Sequence, residues 1–213
     1  MSRVNIQQIK DTHEGETCVV AGLGYSVSLF RETQLFSDDY VVSVNNADAE
    51  LKDIDMIYDM EVRPKVDWKH PGVEWVTLDT VNTDEADYYV QLYKENDKFD
   101  FESNEITGCH SSIIGAAWLA IYMGFSRVLL VGADFCKGPE GQRYFWDRTD
   151  HLKLPWYTMS EDKTDNNASD NNVMRTRTIK CLESLAKYGN DNGCTFANLS
   201  PYIQFENMLV VTQ

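Results

Sequence analysis

Positive charge, long apolar runs and paired cysteines are all scarce in this 213-residue chain. Lysine and arginine number 19 against 34 acids, a formal net charge of −15. Proteins that grip extended duplex nucleic acid neutralise phosphates with a basic face, so that class is not the default here. A local groove built from Arg143, Arg148, Arg175 and Arg177 stays open, and the rest of the charge reads as an acidic surface. No apolar run approaches the ~18 residues of a membrane span. The opening MSRVNIQQIKDTHEGE lacks the apolar stretch of a signal peptide, so a cytoplasmic protein is expected. Cys18, Cys109, Cys136, Cys181 and Cys194 are scattered, without a C-x-x-C pair. That suits a reducing compartment and offers no zinc site.

What is present is the alternation of an α/β protein. The hydrophobic fraction of 43% can build a sizeable core, and the length fits one domain over residues 1–213. Residues 17–21, 40–47, 53–61, 73–79, 127–135 and 194–200 read as strands. Residues 26–36, 84–95, 112–123 and 172–189 read as helices, with Ser111 or Ser112 as the cap of the third. Strands alternating with helices predict a doubly wound, mostly parallel sheet flanked by helices, a Rossmann-like arrangement. Residues 136–172 are polar and spotted with aromatics, too long for an ordinary connection, and read as a lid-like insertion.

In such sheets ligands bind beyond the carboxyl ends of the strands, and polar residues fall there repeatedly. Gly22 and Gly24 follow the first strand, Asn45 and Asn46 the second, Asp59 the third, and Asp134 the strand RVLLV. Taken singly each is an ordinary turn residue; together they mark an edge. Glycines let a backbone approach a ligand closely, and a helix beginning near Ser26 would offer free N–H groups to a phosphate. On this reading Gly24→Val removes nucleotide binding and leaves the fold largely intact. Neither G-x-G-x-x-G nor a P-loop is present, because position 27 is valine and no lysine follows. Asp53-x-Asp55 precedes its strand and reads as solvated, so no metal site is assigned. Strand-end carboxylates in partly dry surroundings make usable bases. Asp134 and Asp59 are therefore the candidate catalytic bases, with His110 at a helix start beside them.

Taken in order, VVAGLGYSVSLF, VVSVNNA, ITGCHSSIIGAAWLAIYMGFSRVLLVGADF and EGQRYFWD resemble the bacterial sialyltransferases of the Campylobacter lipooligosaccharide type. They also resemble the archaeal 6-hydroxymethylpterin pyrophosphokinase-like family. The resemblance spans about residues 17–200. It implies a glycosyltransferase with a nucleotide-sugar donor, expected to be a CMP-sugar, and no essential metal. Nucleotide contacts are implied at Gly22, Leu23, Gly24, Ser26, Asn45, Asn46, Thr107, Gly108 and Tyr144. The acceptor would be a glycan or, for a phage-encoded enzyme, a hydroxymethylated DNA base. The family's histidine before the last helix falls near Val173 here, and no histidine follows His151. Two alternatives stand beside this reading. One is a pyrophosphokinase acting on a small heterocycle with ATP and Mg²⁺, in which Asp59 matches a strand-end aspartate. The other is a nucleotide-binding protein without catalysis.

Overall fold

The computed structural model describes residues 5–30, 38–45, 47–49, 51, 53–60, 72–81, 85–93, 99–102, 105–107, 111–135 and 172–210. Among them, nine strands form one sheet: β1 (Thr17–Ala21), β2 (Tyr40–Val44), β3 (Met56–Asp59), β4 (Glu74–Leu78), β5 (Tyr88–Tyr93), β6 (Glu105–Thr107), β7 (Arg127–Val131), β8 (Thr195–Asn198) and β9 (Leu209–Val210). Among the same described residues two α-helices stand, α1 (Ser112–Tyr122) and α2 (Asn172–Asp191). Every pairing is parallel, and the spatial order is β6-β5-β4-β3-β2-β1-β7-β8-β9. The chain walks outward from β1 to β6, returns through α1, and resumes on the other side of β1 at β7. That reversal makes the sheet doubly wound.

Strands covered on both faces need no polar alternation. Accordingly Cys18 to Ala21 of β1 are all buried, with Val19 opposite Val41 and Leu129. One face carries α1 and α2. Ile113 to Ala120 are all buried there, and Gly115, Ala116, Ala117 and Ala120 keep α1 close to the strands beneath. Trp118, wholly buried, stacks on Phe101 and Tyr122 at 5.0 Å. A side chain of that size gives about 1.5–3 kcal/mol on burial. Gly124, at φ +91°, ends the helix in a backbone form that a side chain resists. The opposite face packs Val27 and Phe30, from the connection after β1, against Val19, Ala21 and Val131.

Four expectations need correction. The segment after β1 is a 3₁₀ turn, Tyr25–Leu29, where a helix from 26 to 36 was expected; residues 31–37 lie outside the described ones. The helix expected over 84–95 is instead strand β5, because Tyr-Tyr-Val-Gln-Leu-Tyr favours a pleated, half-buried surface over a helix. Ser111 does occupy the N-cap of α1, but its side chain makes no capping bond. Cys181, expected as a thiol, is disulfide-bonded, while Cys18 and Cys194 are free and buried. The lid-like insertion lies outside the described residues except Asn172, which opens α2. Among the described residues no helix is long and apolar enough to cross a membrane.

Candidate functional site

The strand order reverses between β1 and β7. In a parallel sheet the connections leaving neighbouring strands at such a point diverge to opposite faces and open a crevice at the carboxyl edge. The turns that follow these two strands lie against each other. Gly22 N–H donates to Val131 O at 2.7 Å, and Gly24 N–H donates to Gly132 O at 2.9 Å. A Cβ on Gly24 would lie 2.6 Å from Gly132 O and 2.7 Å from Asp134 Oδ2. A Cβ on Gly22 would lie 2.6 Å from the Ile113 side chain and 2.7 Å from Gly132 O. Gly132 itself sits at φ +68°. The glycines are thus required by the contact between two turns of the fold. The expectation that Gly24→Val would leave the fold intact is corrected: a valine there meets the Gly132 carbonyl and the Asp134 carboxylate too closely unless the turns shift.

Asp134 and Ser26 close this contact. Ser26 is wholly buried and Asp134 is 2% exposed. Ser26 N–H donates to Asp134 Oδ2 at 2.7 Å and its hydroxyl donates to Oδ1 at 2.5 Å. The Ser26 oxygen in turn accepts from Gly132 N–H at 3.1 Å. One carboxylate therefore satisfies two donors of one turn, and the serine hydroxyl ties back to the other. Asp134 holds the turn in shape, and proton abstraction would first break these bonds. The amides expected to face a phosphate are engaged as well: Ser26 N–H by Asp134, and Val27 N–H by Gly24 O at 3.2 Å. Leu23 packs against the Val19–Val131 cluster.

Asn45 follows β2 at φ +52°, a left-handed form that asparagine tolerates better than most residues. Its N–H donates to Tyr58 O at 2.9 Å, and its Oδ1 is buried without a partner. Asp59 ends β3 at 1% exposure, its carbonyl accepting from the Thr77 hydroxyl at 2.9 Å. With β3, β2, β1 and β7 adjacent in that order, three inter-strand steps separate Asp59 from Asp134, roughly 14 Å. The two, expected one or two strands apart, stand three apart.

Thr107 ends β6, at the sheet margin, and α1 then starts at the carboxyl edge with Ile113 against Gly22. Asn46, Gly108, His110 and Tyr144 lie outside the described residues. Asp53 and Asp55, read as solvated, are exposed, and Asp55 Oδ2 also accepts Val41 N–H at 2.8 Å. Among the described residues no group of three His, Cys, Asp or Glu side chains gathers as a metal site.

Two groups near this edge escaped the sequence reading. The Tyr58 hydroxyl is fully buried beneath α1 at Gly115, without a hydrogen-bond partner. Burial, and then the Asp59 charge beside it, keep this phenol protonated well above the ordinary tyrosine range. The Ser43 hydroxyl on β2 is likewise buried and unpartnered. Inside an apolar run, neither leaves a signal in the sequence.

No family model matches the chain, and no curated protein matches it. Among solved structures it is similar to the sialyltransferase CstII from Campylobacter jejuni in complex with a substrate analogue, cytidine-5′-monophosphate. The two share 14% identity over 94% of this chain and 89% of that one, with a TM-score of 0.47.

Proposed function

We propose that this protein is a glycosyltransferase that takes a sugar from a nucleotide donor, a CMP-sugar, and passes it to an acceptor hydroxyl. The observation that carries the reading is the reversal of an all-parallel sheet at β1 and β7. The glycine turn, Asn45 and the start of α1, with no side-chain cap, all lie at the carboxyl edge there. Asn45 Oδ1 is an acceptor awaiting a donor, as an amino group or hydroxyl of a nucleoside would supply. The order of the sequence motifs points the same way.

In this reading the base is Asp59, which ends β3 at the carboxyl edge. Its carboxylate takes the acceptor's hydroxyl proton as that oxygen bonds to the sugar carbon and the bond from that carbon to the phosphate oxygen breaks. The nucleoside monophosphate leaves. A nucleotide sugar laid along the edge covers the distance from β7 to β3. The acceptor belongs to the hydroxyl-bearing class, a glycan or a hydroxymethylated base of phage DNA.

Donor hydrolysis and transfer by wild type and Asp59→Asn test the assignment. The expected result is a fall of about 10²-fold or more in turnover with CMP affinity retained. Wild-type turnover in Asp59→Asn removes the base. A wild type that binds CMP but consumes no donor makes the protein a nucleotide binder.

A further inference from the structure

Arg175 is placed in a way that its own fold does not explain. Among the α2 residues whose burial is described, Thr178, Cys181, Leu182, Leu185, Ala186 and Gly189 are buried, a stripe facing the core. Arg175 lies three residues before Thr178 and seven before Leu182, so it continues that stripe into the first turn. A core-facing position one turn from a helix start ordinarily takes an apolar side chain. Here the residue is half-buried, its Nε is buried, and that Nε donates to nothing. None of the ion pairs among the described residues includes it, although the chain carries 34 acids. A charge partly withdrawn from water without a partner is costly. Surface arginines in an acidic protein find carboxylates easily; this one does not.

Its place in the fold says what could answer it. α2 links the parallel strands β7 and β8, so it runs against them and begins at the carboxyl edge. α1, which links β6 to β7, begins at the same edge, and the two helices pack together on one face of the sheet. Arg175 therefore stands at the site edge, on the face where α1 starts.

We propose that Arg175 is the receptor for an oxyanion of the donor, its planar fork of donors taking a phosphate or a carboxylate. The proposal rests on the nucleotide-sugar reading and names the group that carries the donor's negative charge in a chain of net charge −15. The oxyanion has two sources, the phosphate of the nucleotide or the carboxylate of an acidic sugar.

Calorimetric titration of wild type, Arg175→Met and Arg175→Lys with CMP, cytidine and N-acetylneuraminate separates them. One of the two anions should bind about 10- to 100-fold more weakly to Arg175→Met, the equivalent of a charge-assisted hydrogen bond. Arg175→Lys should fall between, having charge without the fork. Cytidine affinity should not change. The free Arg175→Met protein should melt no lower than wild type, because no internal bond is lost. Weaker CMP binding identifies the phosphate, and weaker sugar-acid binding identifies the carboxylate. If both anions bind all three proteins equally, or if Arg175→Met melts lower without losing either anion, the proposal is overturned. A wild type that ignores CMP and cytidine but binds the sugar acid through Arg175 removes the nucleotide reading and leaves the receptor standing. A wild type that binds none of the three removes both.

Discussion

Replacing Asp134 by asparagine separates a turn clamp from a catalytic base, because the two roles predict opposite losses. The carboxylate accepts two hydrogen bonds from Ser26, at 2.7 and 2.5 Å, and both residues are buried. Asparagine keeps the shape and one acceptor oxygen, but turns an NH₂ toward the second donor. One charge-assisted bond, worth about 1.5–3 kcal/mol, is lost. The Ser26 hydroxyl can rotate away only within a fully buried site, where no water restores the bond. We therefore expect a destabilisation of about 2–3 kcal/mol. With a urea slope of about 2 kcal/mol/M, the unfolding midpoint should fall by about 1–1.5 M with the slope unchanged. Below that midpoint CMP should still bind to the folded fraction. An unfolding curve that overlays wild type, together with a turnover loss of about 10² or more, would falsify the clamp and restore Asp134 as the base.

Two further outcomes follow from the same geometry. Gly24→Ala should destabilise by more than about 2 kcal/mol, beyond an ordinary surface change, because its Cβ would meet Gly132 O at 2.6 Å and Asp134 Oδ2 at 2.7 Å; an unshifted urea midpoint refutes the turn-to-turn contact. Stability should decline above about pH 10, the ordinary tyrosine pKa. Tyr40 and Tyr58 are held protonated, chiefly by burial and then by Glu74 and Asp59 respectively. Below that pH both states keep the proton and nothing is lost; above it only the unfolded chain ionises, so folding loses ground as pH rises. Midpoints that stay level from about pH 9 to about 11 contradict this.

How far the sequence could be read depended on whether the cause was local. Strand β1 was legible to the residue, because Thr17–Ala21 is an apolar run stopped by glycine. The winding of the sheet followed from the alternation of segments. The purpose of the glycines was not legible, since the carbonyl they accommodate belongs to Gly132, on a turn more than a hundred residues along the chain. The role of Asp134 was hidden in the same way by its partner Ser26, 108 positions away. At β5 the helical expectation lost to three tyrosines and a valine, whose fit to a pleated sheet outweighed a weak periodicity. Arg175 did leave a trace, a charged residue seven positions before Leu182 on a core stripe, but its unpartnered Nε is a property of the folded packing.

The central claim is that a nucleotide lies across the carboxyl edge where the strand order reverses. Amide chemical shifts of isotopically labelled protein, followed during titration with CMP, test it most directly. The account predicts saturable shifts at Gly22 to Ser26, Asn45, Ser111 to Gly115 and Gly132 to Phe135, with the amino-edge residues His13, Tyr40 and Phe125 unmoved. Saturable shifts at that amino edge, or none anywhere at millimolar CMP, would contradict it.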